Sequence, residues 1–303
     1  MILEIRYLTY QQIDKNKWDA CINNADNGLI YGYSFYLDAM AKNWDALVLS
    51  DYETVMPLTW NKKYSIHYLY QPPFTACLGV FGKHLTAEIV DSFLKAIPAK
   101  FKYWDIYFNP GNLFKLTDFE LYQRMNYVLN LGNSYENLYN AYRENIKRNI
   151  KKSEQFGLSI QKNIHVANVI QLAKEYDKTS ATADDYVRFE KLYHLLYKKE
   201  QATTYAVYSK EKQLIASAVF FFSHKRAYYI MVGNHPDGKT LGASHALINA
   251  FIKDYAGKDI LFDFEGSDIP SLAFFYSSFG AVEEKYSAVK LNKLPLPLKW
   301  LKK

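Results

Sequence analysis

Residues 263–281, DFEGSDIPSLAFFYSSFGA, decide the reading of this chain. Asp263 and Glu265 alternate at the end of a strand expected over 259–264, so the spacing gives them one face. Gly266 lets the chain turn, Pro270 suits the first turn of a helix over 270–279, and a further strand is expected over 284–291. One strand-to-helix corner thus gathers acid, hydroxyl and phenol groups: Asp263, Glu265, Ser267, Asp268 and Tyr276.

Working backwards, a helix is expected over 243–256, strands over 203–209, 213–222 and 226–233, and helices near 165–177 and 186–200. Before them, SYENLYNAYRENIKRNIKKSEQFG (134–157) reads as one helix. Ser134 and Asn137 make an imperfect capping box, Leu138, Tyr142, Ile146 and Ile150 an apolar stripe, and Gly157 the terminating residue. The first half shows a similar order. A strand opens the chain, and helices follow over 11–24 and 34–43, the second with Ser34 as its N-cap. DALVLS, TVMPLTW and SIHYLY make an antiparallel meander, then come an irregular stretch at 71–82, a helix over 86–97, the strand YWDIYF and the turn NPGN. Both halves follow a helix-helix-meander-helix-strand plan, which predicts an α/β (α+β) protein with a duplicated fold. The expected domains are 1–130 and 134–303, parted near LNLGNS.

At 303 residues the chain exceeds the usual ~100–150 residue domain, in keeping with two domains. Hydrophobic residues at 49% and charged residues at 22% describe a globular protein, so disorder does not dominate. The 27 tyrosines read as core and groove lining. Cys21 and Cys77, without histidines at ligand spacing, supply neither a disulfide framework nor a zinc signature, and a reducing cytoplasm is expected. The longest apolar runs fall far below the roughly 20 residues that cross a bilayer, and the opening MILEIRYLTYQQ reads as a strand rather than a signal peptide, so stable membrane insertion is not expected. No HExxH, GxSxG or Walker loop occurs, so no metal is expected and transfer chemistry or binding remains.

The element order resembles the GNAT acyltransferase fold. Ala273, Tyr276 and Gly280 match the family's alanine, tyrosine and glycine before the last strand, with Ala273 one residue closer than usual. Duplication of such a domain, with RENIKRNIKKSEQFGLSI opening the second half and DFEGSDIP near its end, resembles the FemAB-like branch. That resemblance implies two GNAT-like domains with mixed central sheets flanked by helices, and transfer of an acyl or aminoacyl group onto an amine. It implies an acyl-CoA donor, held by the segment KTLGAS, in which Lys239 and Ser244 replace the usual first and last residues while Gly242 keeps its place beside Ala243. The FemAB-like branch implies aminoacyl-tRNA as the alternative donor, although no long helical-arm insertion is evident in 134–200. The acceptor would be an amine of a small molecule or a cell-envelope precursor. Two other readings stay open: plain acetyl-CoA-dependent N-acetylation, and a ligand-binding module that keeps the fold without catalysis.

Glu265, before the turn at Gly266, is the candidate base, with Asp263 beside it; Ser267 and Asp268 would help surround the amine. The alternative makes Ser267 or Asp268 a cap of the 270 helix. Tyr276 could protonate a leaving thiolate or ribose oxygen, the role the resemblance implies, or pack with Phe274, Phe275 and Phe279. Arg143, Lys147, Arg148, Lys151 and Lys152 lie on neighbouring helical rows. They form either a phosphate-binding face for tRNA, a nucleotide-linked precursor or CoA, or a solvated helix end. The ending KLPLPLKWLKK reads as a packed proline-rich tail.

Overall fold

A computed structural model describes residues 4–176, 181–266, 268–296 and 299. Two compact units emerge: one of residues 1–124 and 285–303, the other of residues 125–284.

In the first unit, strands Ile5–Leu8, Asn43–Leu49, Thr54–Lys63 and Ile66–Tyr70 form an antiparallel meander. Helix Ala87–Ala96 then crosses over, so that strand Phe101–Tyr107 lies parallel to Ile66–Tyr70. The helix lays Val90, Phe93 and Leu94 on a core of Leu47, Met56, Leu58, Leu69, Trp104 and Ile106. A last antiparallel partner comes from the far end of the chain, residues 288–292 pairing with 103–107. The expected NPGN turn is a short 3-10 segment, Pro110–Asn112, whose asparagines are buried. Asn109 and Asn112 donate to the carbonyls of Leu78 and Val80, which leaves these loop carbonyls satisfied without water.

The second unit repeats the strand plan. Ser159–Lys162, Ala202–Tyr208, Leu214–Ser223 and Arg226–Asn234 form the meander. Helix Ala243–Tyr255 crosses over to the parallel strand Leu261–Asp263, which is flanked antiparallel by 128–130 of strand Tyr122–Asn130. The run LIASAVFFFS is buried on both faces, as a central strand covered by helices on either side requires. Phe220 stacks on Phe251 of the crossover helix at 3.8 Å, and Phe221 stacks on Phe189 of helix Ala183–Tyr197 at 5.4 Å.

Local expectations hold where caps or periodicity are strong and fail where tertiary hydrogen bonds intervene. The stretch read as one helix over 134–157 is two, Tyr135–Asn140 and Glu144–Gln155. Arg143 between them is extended, and its N–H donates to the Ser278 carbonyl at 2.9 Å instead of continuing the helix. Leu138, Tyr142, Ile146 and Ile150 are nevertheless all buried. Ser34 is not an N-cap but the first helical residue, with its hydroxyl donating to Asp19. The strands Tyr122–Asn130 and Ser159–Lys162 escape the sequence reading, the latter because all four of its residues are exposed. No described helix is long and apolar enough to cross a membrane.

The Asn109 amide is fully buried, so Asn109→Ala removes its bonds to the Leu78 and Val80 carbonyls, which keep the Asn109 N–H and the Asn27 and Asn112 amides, and should cost about 0.5–1.5 kcal/mol. Denaturant unfolding that shows no loss would mean the loop closes without this amide.

Candidate active site

Three strand positions of the second unit, Asn126, Asp263 and Glu284, gather around one half-buried arginine. Arg226 opens its strand, and its guanidinium donates to Asp263 at 2.6 Å and to both Glu284 oxygens at 2.8 Å. The amide of Asn126 donates to Asp263 at 2.9 Å and to Glu284 at 3.1 Å. The Asn126 carbonyl oxygen accepts from the backbone N–H of Tyr127 and of Gly266. Burial by itself would make Arg226 easier to deprotonate, but the Asp263 and Glu284 charges outweigh it and hold the guanidinium charged. Asp263 is therefore committed to structure: one oxygen pairs with Arg226, and the other accepts the Glu265 N–H at 2.8 Å.

Beyond this pin the parallel strands part. Their pairing runs from Arg226↔Leu261 to Tyr228↔Asp263 and stops, although the first strand continues to Asn234. The register with Leu214–Ser223 slips at the same place, Val219 facing Met231 and Phe220 facing Tyr229, so Ile230 is an extra, unpaired residue. A bulge of this kind bends its strand. On the other side Phe264 turns away and donates its N–H to the Tyr127 carbonyl. The result is a wedge between the two strands.

Aromatic rings of the core pack beside the wedge. Tyr276 of helix Pro270–Ser277 stacks on Phe264 at 4.6 Å, and the ring of Tyr229 lies 6.4 Å from that of Phe264. Desolvation pushes the Tyr276 phenol up to about 12, with the Glu265 charge adding to the rise, and the Tyr229 phenol is held well above its ordinary range. Glu265 keeps part of its surface open, yet the surrounding protein raises its carboxyl from 4.5 to about 8 by desolvation. Its φ of +65° is a left-handed conformation that only surrounding structure imposes on a glutamate. The expected common face with Asp263 is thus lost, because Glu265 leaves the strand as Asp263 remains in it. Gly280, at φ +85°, ends the helix in a conformation that suits the matched glycine.

His245, in the first turn of helix Ala243–Tyr255, meets the same aromatic cluster, edge-on to Phe275 at 4.9 Å. Burial lowers its pKa to about 4, and its Nδ1 has no hydrogen-bond partner among the described residues. Nothing in its sequence neighbourhood marks it, since its setting depends on a helix that comes later in the chain.

The segment KTLGAS is where a donor would be expected. Gly242, at φ +74°, ends helix Pro236–Leu241 and begins helix Ala243–Tyr255. A Cβ there would stand 2.5 Å from the Asn149 carbonyl oxygen, so the close approach of helix Glu144–Gln155 requires glycine. Ala243 is fully buried, Ser244 donates to Asn234 at the end of the parting strand, and Lys239 is exposed. Ser244 thereby ties the helix start to the strand rather than capping the helix.

Among the basic residues, Lys147 pairs with Glu144 at 3.1 Å, and Lys152 lies over the Phe156 ring. Arg143 covers Phe274 at 5.0 Å, while Arg148 and Lys151 are exposed. Asp268 accepts from the Met125 N–H and does not cap the 270 helix, whose N-cap position is Ile269. Ser267 lies outside the described residues.

A meander, a crossover helix and two parallel strands that part at a bulge define the GNAT class of fold. Residues 140–270 match the family model described as an acetyltransferase (GNAT) domain. Among solved structures, the crystal structure of FemX matches with a TM-score of 0.63 at 12% identity, covering 98% of this chain and 99% of that one. L-PGS from Bacillus licheniformis matches with a TM-score of 0.55 at 11% identity, covering 95% of both chains. The C-terminal domain of a putative lysylphosphatidylglycerol synthetase from Agrobacterium fabrum matches with a TM-score of 0.57 at 8% identity, covering 95% and 94%. No curated protein matches in sequence. Residues 140–270 are thus similar to a GNAT acetyltransferase domain, and the fold is similar to that of FemX over nearly the whole chain.

Two measurements test this geometry. Arg226→Met leaves two carboxylates and an amide without their cation, and should cost about 3–5 kcal/mol in denaturant unfolding; a loss below about 1 kcal/mol, in the range of an exposed pair, would show that the cluster does not pin the strands. Gly242→Ala should lower the melting temperature, because both the clash and the backbone angle disfavour a side chain. An unchanged melting temperature would mean that the two helices do not need this close approach.

Proposed function

We propose that the second unit transfers an acyl or aminoacyl group from its donor to an amine at the wedge. The observation that carries this reading is a carboxylate raised to about 8 beside a phenol at about 12, at the corner where the strands part. The amine nitrogen attacks the donor carbonyl, Glu265 takes the proton the nitrogen releases, and Tyr276 gives a proton to the departing thiolate or ribose oxygen as its bond to the acyl carbon breaks. The Ile230 backbone N–H, released from the ladder by the bulge, would receive the carbonyl oxygen as it gains charge.

Acyl-CoA and aminoacyl-tRNA both suit this chemistry. The GNAT match favours the first, while the FemX and lysylphosphatidylglycerol synthetase likenesses favour the second. Lys239, Gly242, Ala243 and Ser244 are the proposed donor-binding residues, and Arg143, Lys147, Arg148 and Lys151 the proposed phosphate-binding ones. The acceptor is an amine of a small molecule or envelope precursor, and the reaction is placed in the cytoplasm. A rise in melting temperature with CoA or with aminoacyl-tRNA would identify the donor, since a ligand that binds only the folded state must stabilise it.

Glu265→Gln and Tyr276→Phe should bind donor normally and each lose about 10²–10⁴-fold in turnover. Wild-type turnover should rise with pH up to about 8 as Glu265 ionises, a dependence the glutamine variant lacks. Stability runs the other way. Because the folded-state pKa is raised, the contribution of Glu265 is fully present below about 4.5 and is lost as pH rises to about 8. The glutamine variant should therefore gain melting temperature relative to wild type across that window. A constant difference would place Glu265 in an ordinary solvated setting, and normal turnover in both variants would remove the corner from the mechanism.

Changing Lys147, Arg148 and Lys151 together to glutamine should weaken tRNA binding and flatten its salt dependence, by a slope of about 0.7–0.9 for each phosphate no longer neutralised. Identical affinity and slope would show that the helix face is only solvated.

A further inference from the structure

A second site lies in the first unit, away from the residues assigned to transfer. A cleft of ≈ 570 Å³ opens on the parallel pair Ile66–Tyr70 and Phe101–Tyr107. Tyr68, Tyr70, Tyr103 and Tyr107 line it, with Asp105 among them. The strand period places these residues together: 103, 105 and 107 share one face, and the register sets Tyr68 beside Tyr103 and Tyr70 beside Asp105. Trp104 and Ile106 point to the opposite face and join the core.

Asp105 is half-buried on this aromatic floor, and its one side-chain hydrogen bond among the described residues is a long one, from the Tyr103 hydroxyl at 3.4 Å. None of the ion pairs among the described residues uses it. Lys290 stands opposite Asp105 in the strand register, and Lys63 lies at the mouth over the Tyr64 ring. Desolvation first and the Asp105 charge second push the Tyr103 phenol up to about 12, which puts the carboxylate within electrostatic reach of that side chain. One of these rings already holds one of the protein's own cations, since the Arg124 guanidinium sits 4.2 Å from the centroid of Tyr107.

We infer that this cleft binds an organic ammonium ion, held by the Asp105 carboxylate and the faces of Tyr68, Tyr70, Tyr103 and Tyr107. Aromatic faces carry negative charge density that attracts cations, most strongly where water is excluded, and a carboxylate supplies the formal counter-charge. A neutral sugar could also stack on tyrosines, but it would leave the carboxylate without a cation. The proposal does not depend on the transfer reading, because none of its residues belongs to the second unit.

Calorimetric titration of the full chain tests it, with choline, the neutral carbon isostere of choline, and N-acetylglucosamine as probes. Choline should bind, and the isostere should bind at least about tenfold more weakly, reflecting loss of both the charge pair and the cation–π attraction. Asp105→Asn should weaken choline by a similar factor while the melting temperature is kept. Tyr68→Leu should weaken it independently, and it carries the test if the asparagine variant does not fold. Equal binding of the isostere, binding of the sugar without choline, unchanged choline affinity in a folded variant, or no choline binding up to about 10 mM would each overturn the inference.

Discussion

The second unit depends on the contact between Arg226 and the carboxylates of Asp263 and Glu284. A guanidinium in such a place is costly unless its charge and its directional N–H groups are all answered. Asp263, Glu284 and Asn126 answer them from separate positions in the chain. The cluster locks the parallel pair together at one end, and a bulge at Ile230 then forces the strands apart. A sheet held firmly on one side of a bulge and released on the other opens between its strands at that point.

Everything assigned to transfer follows from that opening. The chain has to leave the strand after Asp263, and does so through Phe264 and Glu265, whose backbone N–H groups find the Tyr127 carbonyl and the Asp263 side chain. Glu265 is thereby carried from the solvated side of a strand into a desolvated corner. Tyr276 reaches the same corner because Phe264 offers its ring a stacking partner. The crossover helix begins beside the parting strand, tied to it by Ser244 and Asn234, and Gly242 lets a neighbouring helix approach within backbone contact.

The first unit has the same order of strands, with a parallel pair after the meander, but fills it differently. Its alternating face presents tyrosines and one aspartate rather than phenylalanines and an ion pair. Two units built on one plan can thus present unlike chemistry, because the strand period only decides which residues share a face, not what those residues are.

Much was legible without coordinates. The meanders, the crossover helices and the corner at 263–281 rest on local signals: alternation, periodic apolar stripes, capping residues and glycine, all of which act within a few residues. The stripe of Leu138, Tyr142, Ile146 and Ile150 was readable for that reason, and Tyr276 and Gly280 could be singled out by their resemblance to the GNAT pattern. Tertiary structure decided the rest. Strand Ser159–Lys162 has no apolar alternation to betray it, and residues 288–292 pair with 103–107 from the other end of the chain. The helix over 134–157 breaks because one N–H finds a carbonyl at Ser278. Asp263 and Glu265, equivalent in the sequence, differ because Arg226 neutralises one while the surrounding protein desolvates the other. Local sequence sets which conformations are cheap, whereas the environment of a charge is made by residues that the chain brings together only when it folds.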